Sequence, residues 1–220
     1  MKRGPLTAIP TGANPARTVD AASTGRVEAF SDGVIAIAIT LLVLEIAVPA
    51  GGGTLLSRLA EQWPVYLAYL VSFVVVGATW LSHHAIMRDV RRVDHGLLVL
   101  NLGLLLVISF IPFPTKVVGE ELLALDLGNQ RTAAILYGLT FFALGVAFNA
   151  LWWWARRHDL LSEHVTPDAA AARSRHFRIG PLAYAVTTGL AFVHPLVSIA
   201  ATGVVAFSFL VPTNQPKDIA

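Results

Sequence analysis

Apolar stretches long enough to reach most or all of the way through a lipid bilayer dominate the 220 residues of this chain. They run from Val34 to Val48, Trp63 to Met87, Gly96 to Phe113, Thr132 to Trp154 and Phe177 to Val211. A membrane-crossing helix needs about 20 predominantly apolar residues. The first stretch reaches that length by continuing back through the polar Arg26–Asp32 segment. The last is too long for one span and is interrupted at His194–Pro195, so it reads as two short helices. Only 14% of the residues are charged, against about a quarter in soluble domains. Lipid removes the need for a charged coat, because it replaces water around the apolar surface. The expectation is an all-α polytopic membrane protein with six transmembrane helices, over 27–49, 63–87, 95–114, 132–155, 177–193 and 195–212. Residues 25–212 then form one membrane domain. The Thr-, Ala-, Pro- and Gly-rich residues 1–24 read as a disordered cytoplasmic tail, and 213–220 as a second tail.

The basic residues fix the expected orientation. Of sixteen, thirteen fall at the termini and in the loops after the second and fourth spans. The opposite loops hold Arg58, Lys116 and Arg131 alone. Such a bias places both termini in the cytoplasm, on the inner face of the cell's plasma membrane, and an even number of crossings agrees. Trp152, Trp153 and Trp154 stand just before Arg156, where an inner-interface belt belongs. Val48-Pro49-Ala50 looks like a signal-peptide cleavage site, but Asp32 and the long polar lead argue against one. The absence of cysteine rules out disulfides and thiolate metal sites. A net charge of +2 is too small to suggest nucleic acid as a partner.

Most of the chemical information lies in Arg26-Val-Glu-Ala-Phe30-Ser31-Asp32-Gly33 and the apolar run behind it. Arg26, Phe30 and Gly33 share one helical face. Asp32 is offset from Arg26, so its partner is expected on another helix. A carboxylate at the rim of the hydrocarbon is normally paired or wet. Further along, Ile37, Thr40 and Leu44 form one stripe about 10 Å long. Facing a pore, Ile37 and Leu44 would make dry constrictions, and Thr40 a ring of oxygens for a passing cation. Facing lipid or a neighbouring helix, the same stripe would be ordinary packing, with Thr40 bonded to its own backbone.

Arg-x-x-x-Phe-Ser-Asp-Gly at the head of a first membrane helix resembles the bacterial relatives of the endolysosomal potassium channel. The likeness continues at Trp80-Leu-Ser-His83-His84 and from Asn101 to Ser109-Phe-Ile-Pro112-Phe-Pro114-Thr115. It covers about the first 115 residues by motif and the rest by hydropathy. It implies six helices per chain and four chains around one pore lined by the first helix. It also implies an apolar constriction at Ile37, a selectivity ring at Thr40 and a second apolar ring at Leu44. Arg26, Ser31 and Asp32 are implied to join polar residues of the second and third helices, here Trp80, His83, His84 and Asn101. A protonated His beside Asp32 would make a pH-sensitive latch; without titration the same group is a static staple between helices.

His83 and His84 point about 100° apart and cannot grip one metal together. Ser162, Glu163 and His164 look like a catalytic triad on paper but lie in a short loop without a scaffold. Glu45 stands near the outer mouth, where it could draw cations or bond to the second helix. The outer loop containing Glu120, Glu121 and Asp126 is acidic. No Thr-Val-Gly-Tyr-Gly filter loop and no helix with regularly spaced Arg occur. The expected function is a potassium-preferring cation channel gated by apolar constrictions. It is expected to have no enzymatic activity and no cofactor or metal beyond permeating K+. Its expected partners are copies of itself in a homotetramer, membrane lipid and monovalent cations. The alternatives are a proton-coupled secondary transporter using Asp32 and a histidine of the second helix, and a membrane protein without a transport role. Transporter folds usually carry matching helix breaks in two halves, and no such pair is visible in this sequence.

Overall fold

The computed structural model describes residues 15–48, 50–124 and 126–210, with side chains from Thr24 onward. Eight α-helices carry nearly all of it: α1 (Pro15–Leu41), α2 (Leu55–Glu61), α3 (Trp63–Asp89), α4 (His95–Phe110), α5 (Pro112–Glu121), α6 (Leu127–Arg157), α7 (Pro167–Gly189) and α8 (Pro195–Leu210). A 3-10 turn, Leu42–Glu45, extends α1, and another, Leu190–Phe192, extends α7. No strand forms among the described residues, only an isolated bridge between Val90 and Leu161. Four segments are long and apolar enough to cross a membrane: Thr24–Glu45, Trp63–Asp89, His95–Glu121 and Leu127–Arg157. The shorter apolar α8 packs beside α7, and together they complete an all-α membrane bundle.

The helices reach further than hydropathy alone suggests at three points. α1 begins at Pro15, inside the stretch read as a tail; proline suits a helix's first turn, where its missing N–H has no partner to lose. The third span does not stop at 114. Pro112 and Pro114 interrupt the helix at Ile111, and α5 restarts with proline in its first turn. Thr115 Oγ1 then donates to the Ile111 carbonyl at 2.8 Å. α7 starts at Pro167, capped by the Thr166 hydroxyl, so the Arg173–Arg178 segment is helical rather than loop. Residues 1–14 and 211–220, with the tail 213–220 among them, lie outside the described residues.

Buried polar groups hold the rods in register, as a bilayer interior demands. Pro181, inside α7, cannot donate to the Phe177 carbonyl; Asn149 Nδ2 of α6 reaches across and donates to it at 2.7 Å. Ser72, Thr115 and Tyr137 tie α3, α5 and α6 together through hydroxyl contacts of 2.7 and 2.9 Å. At the α3–α4 turn, Asp89 pairs with Arg173 of α7, and Arg91 Nη1 lies 3.2 Å from Glu163. Asp94 caps α4 through Leu97 N and accepts from Trp154 Nε1 at 3.0 Å. α6 lies at the centre of this frame, against α4, α5, α7 and α8, whereas α1 packs on α3 and α4 at one side.

Candidate functional site

α1 has two faces of opposite character. Ser31, Ile35, Ala38 and Leu42 are buried, at spacings of four, three and four that keep one helical face turned to α3 and α4. On the other side Phe30, Gly33, Ile37, Thr40 and Leu44 are exposed. Ile37 is 61% and Leu44 73% exposed. A Cβ added at Gly33 would meet nothing within 4 Å. The predicted constriction and selectivity residues therefore lie together on the bare face of one helix. Thr40 Oγ1 donates its proton to the Ile37 carbonyl at 2.8 Å. Its lone pairs remain on the exposed side.

The polar residues of the motif meet α3 and α4 at the level of the first helical turns after Thr24. There they form one directed chain. Ser31 Oγ donates to the Val27 carbonyl at 2.8 Å, so it can only accept from Asn101 Nδ2, which it does at 2.9 Å. Asn101 Oδ1 then accepts a hydrogen bond from His83 Nε2 at 2.9 Å. Ser31 and His83 are completely buried and Asn101 nearly so. His83 Nδ1 is buried too, without a hydrogen-bond partner among the described residues. In neutral His83 the proton therefore sits on Nε2 and the lone pair on Nδ1.

A second, more exposed pair of contacts runs beside it. Trp80 Nε1 donates to Asp32 Oδ1 at 3.0 Å, and His84 Nδ1 lies 2.7 Å from Glu28 Oε1. The indole and imidazole rings of Trp80 and His84 stack, with centroids 6.2 Å apart. Glu28 and Asp32 are four residues apart on α1, and Trp80 and His84 four apart on α3, so two antiparallel helices meet rung to rung. The sequence reasoning missed Glu28, although that matched spacing could have found it. Asp32 does find its partner on another helix, and the partner is the Trp80 indole. The two histidines are taken by Asn101 and Glu28. Arg26 and Phe30 stand outside both sets of contacts, exposed. At the opposite end of α1, Glu45 closes the 3-10 turn and pairs with Lys116 Nζ of α5 at 3.6 Å. No group of His, Asp and Glu able to hold a metal occurs among the described residues.

The stretch that holds these residues resembles known proteins. The family model of the endosomal/lysosomal potassium channel TMEM175 matches residues 26–112. A protein of Streptomyces collinus named a potassium channel is 45% identical over 189 residues, 84% of this chain and 91% of its own length. The chain belongs to the TMEM175 family. A solved homolog, from Chamaesiphon minutus, of the lysosomal potassium-selective channel TMEM175 superposes with a TM-score of 0.75 at 39% identity, over 86% of this chain and 97% of its own. A TMEM175 of Gallus gallus, named an endosomal/lysosomal proton channel, is 36% identical over 154 residues, 64% of this chain and 30% of that protein. The family match spans both the bare stripe of α1 and the Ser31–Asn101–His83 chain.

Proposed function

We propose that this TMEM175 protein is a potassium-preferring cation channel whose pore is lined by α1 from four copies of the chain. The observation that carries the reading is the division of α1 into two faces. One is held on α3 and α4 by Ser31, Ile35, Ala38 and Leu42. The other sets Ile37, Thr40 and Leu44 in one bare line. One such helix encloses nothing, so a pore requires closed rotational symmetry. Ile37 and Leu44 then narrow the path to a dry neck that gates by dewetting, and Thr40 offers oxygens to K+ between them. The sequence has no carbonyl filter loop, so selectivity falls to the hydroxyl ring and the width of the necks. The basic-residue bias supports a plasma-membrane protein with both termini in the cytoplasm. In that orientation the Ser31–Asn101–His83 chain lies at the inner end and Glu45 at the outer mouth. The buried chain acts as a staple that fixes α1's rotation, and with it the direction of the stripe.

A transporter reading needs Asp32 to exchange a proton with a histidine of α3. The contacts of Asp32 with Trp80, and of His83 with Asn101, weigh against it. The test is a recording of purified protein in planar bilayers under potassium and sodium gradients, for the wild type and Ile37→Asn. Potassium-biased unitary currents that grow when residue 37 becomes polar are expected. Saturable, substrate-specific uptake without unitary currents would favour the transporter, and silence from folded oligomers a role without transport.

A further inference from the structure

We propose that Lys116 sets the charge of the outer mouth by neutralising a ring of Glu45 carboxylates. The inference rests on the α1 pore reading. Glu45 directly follows Leu44, the outermost residue of the bare stripe, and lies on the 3-10 turn that ends the first helix. A carboxylate at this position, repeated by rotation, would place four negative charges on the rim of a narrow apolar neck. Low-dielectric walls focus such a field and concentrate cations. The structure instead sets the Lys116 ammonium 3.6 Å from Glu45 Oε2. Lys116 projects from α5, a separate helix held in place by Pro112, Pro114, Thr115 and Val118 in the core, and its side chain is half exposed. At distances longer than their separation, the two charges cancel. The pair also draws Glu45 towards α5, on the buried side of the helix that Leu42 occupies one turn earlier. The wild-type mouth is therefore close to neutral at this level, and the residue that makes it so lies outside the pore helix.

Breaking the pair from either side should move conductance in opposite directions. In symmetric KCl of about 10 mM, inward unitary conductance should rise about threefold in Lys116→Gln and fall about threefold in Glu45→Gln, with both returning towards wild type near 1 M, where the screening length shrinks from about 30 Å to about 3 Å. The double variant Glu45→Gln/Lys116→Gln and the exchanged pair Glu45→Lys/Lys116→Glu should both conduct like the wild type at low salt. The exchanged pair also guards against a single variant that fails to assemble. Shifts of the same sign in both single variants, no shift at low salt, or a shift that persists at 1 M would overturn the inference. Failure of the pore reading itself shows separately, as currents indifferent to Ile37→Asn.

Discussion

α1 and α6 are both long, apolar membrane helices, yet the protein uses them in opposite ways. Half of α6's most apolar window is buried within the chain, against 22% of the corresponding window of α1. α6 also carries the aromatic interior: Tyr137 and Phe141 meet edge to face at 4.6 Å, and Trp152 donates to Ser174 of α7 at 2.9 Å. α1 is fastened along one narrow strip. Apolar character says that a helix belongs in the membrane, but not whether its surroundings are its own chain, lipid or other copies. Where small residues stand is more informative. Gly138 on α6 lies against Thr188, and a Cβ there would come 2.2 Å from its hydroxyl, whereas Gly33 on α1 faces open space.

The sharpest way to break this comparison is to add one methyl group to each helix. Gly138→Ala should destabilise the bundle by about 1–3 kcal/mol, through forced separation of α6 and α7. Gly33→Ala should leave stability within about 0.5 kcal/mol of wild type. Thermal unfolding in detergent compares the two. Equal losses would mean that α1's bare face is packed in the assembled protein as tightly as α6.

A comparable effect is expected from Asn149→Ala, which strips the Phe177 carbonyl of its partner opposite Pro181 and should cost about 1–3 kcal/mol. Asn101→Ala removes the middle of the buried chain, leaving both the Ser31 acceptor and the His83 donor without it. It should cost about as much, again about 1–3 kcal/mol. On the proposed channel reading it should also alter open probability, because Asn101 ties Ser31 of α1 to His83 of α3, whereas Asn149→Ala should act on stability alone. Among the polar contacts the smallest effect belongs to Glu28→Gln. Its contact with His84 is half exposed, so the loss should stay below about 1 kcal/mol.

Much of this frame was legible in the sequence. The lengths of the apolar runs, the basic-residue bias and the offset of Asp32 from Arg26 required a membrane bundle and a partner for Asp32 on another helix. Spacing alone grouped Ile37, Thr40 and Leu44, but it could not say whether that face was bare. The Glu28–His84 contact is not legible from the motif, because Glu28 occupies one of its unspecified positions between Arg26 and Phe30. The extension of the third span through Pro112 and Pro114 was hidden because proline normally ends a helix; here the Ile111 N–H takes up the Ile108 carbonyl that Pro112 cannot reach with an N–H of its own. The link between Glu45 and Lys116 joins residues 71 positions apart, and no local pattern reports it.

The chain contains no cysteine, so every introduced thiol is the sole one present, and this allows the most direct test of the central claim that the bare face of α1 surrounds the ion path. Single variants Ile37→Cys, Thr40→Cys and Leu44→Cys, with Ile35→Cys and Ala38→Cys as buried controls and Val186→Cys as an exposed control on α7, would be recorded in bilayers while a water-soluble thiol reagent or Ag+ is applied. The account predicts rapid, irreversible loss of current at positions 37, 40 and 44 and none at 35, 38 or 186. Block at Val186→Cys with none along the α1 stripe would contradict it and move the pore elsewhere.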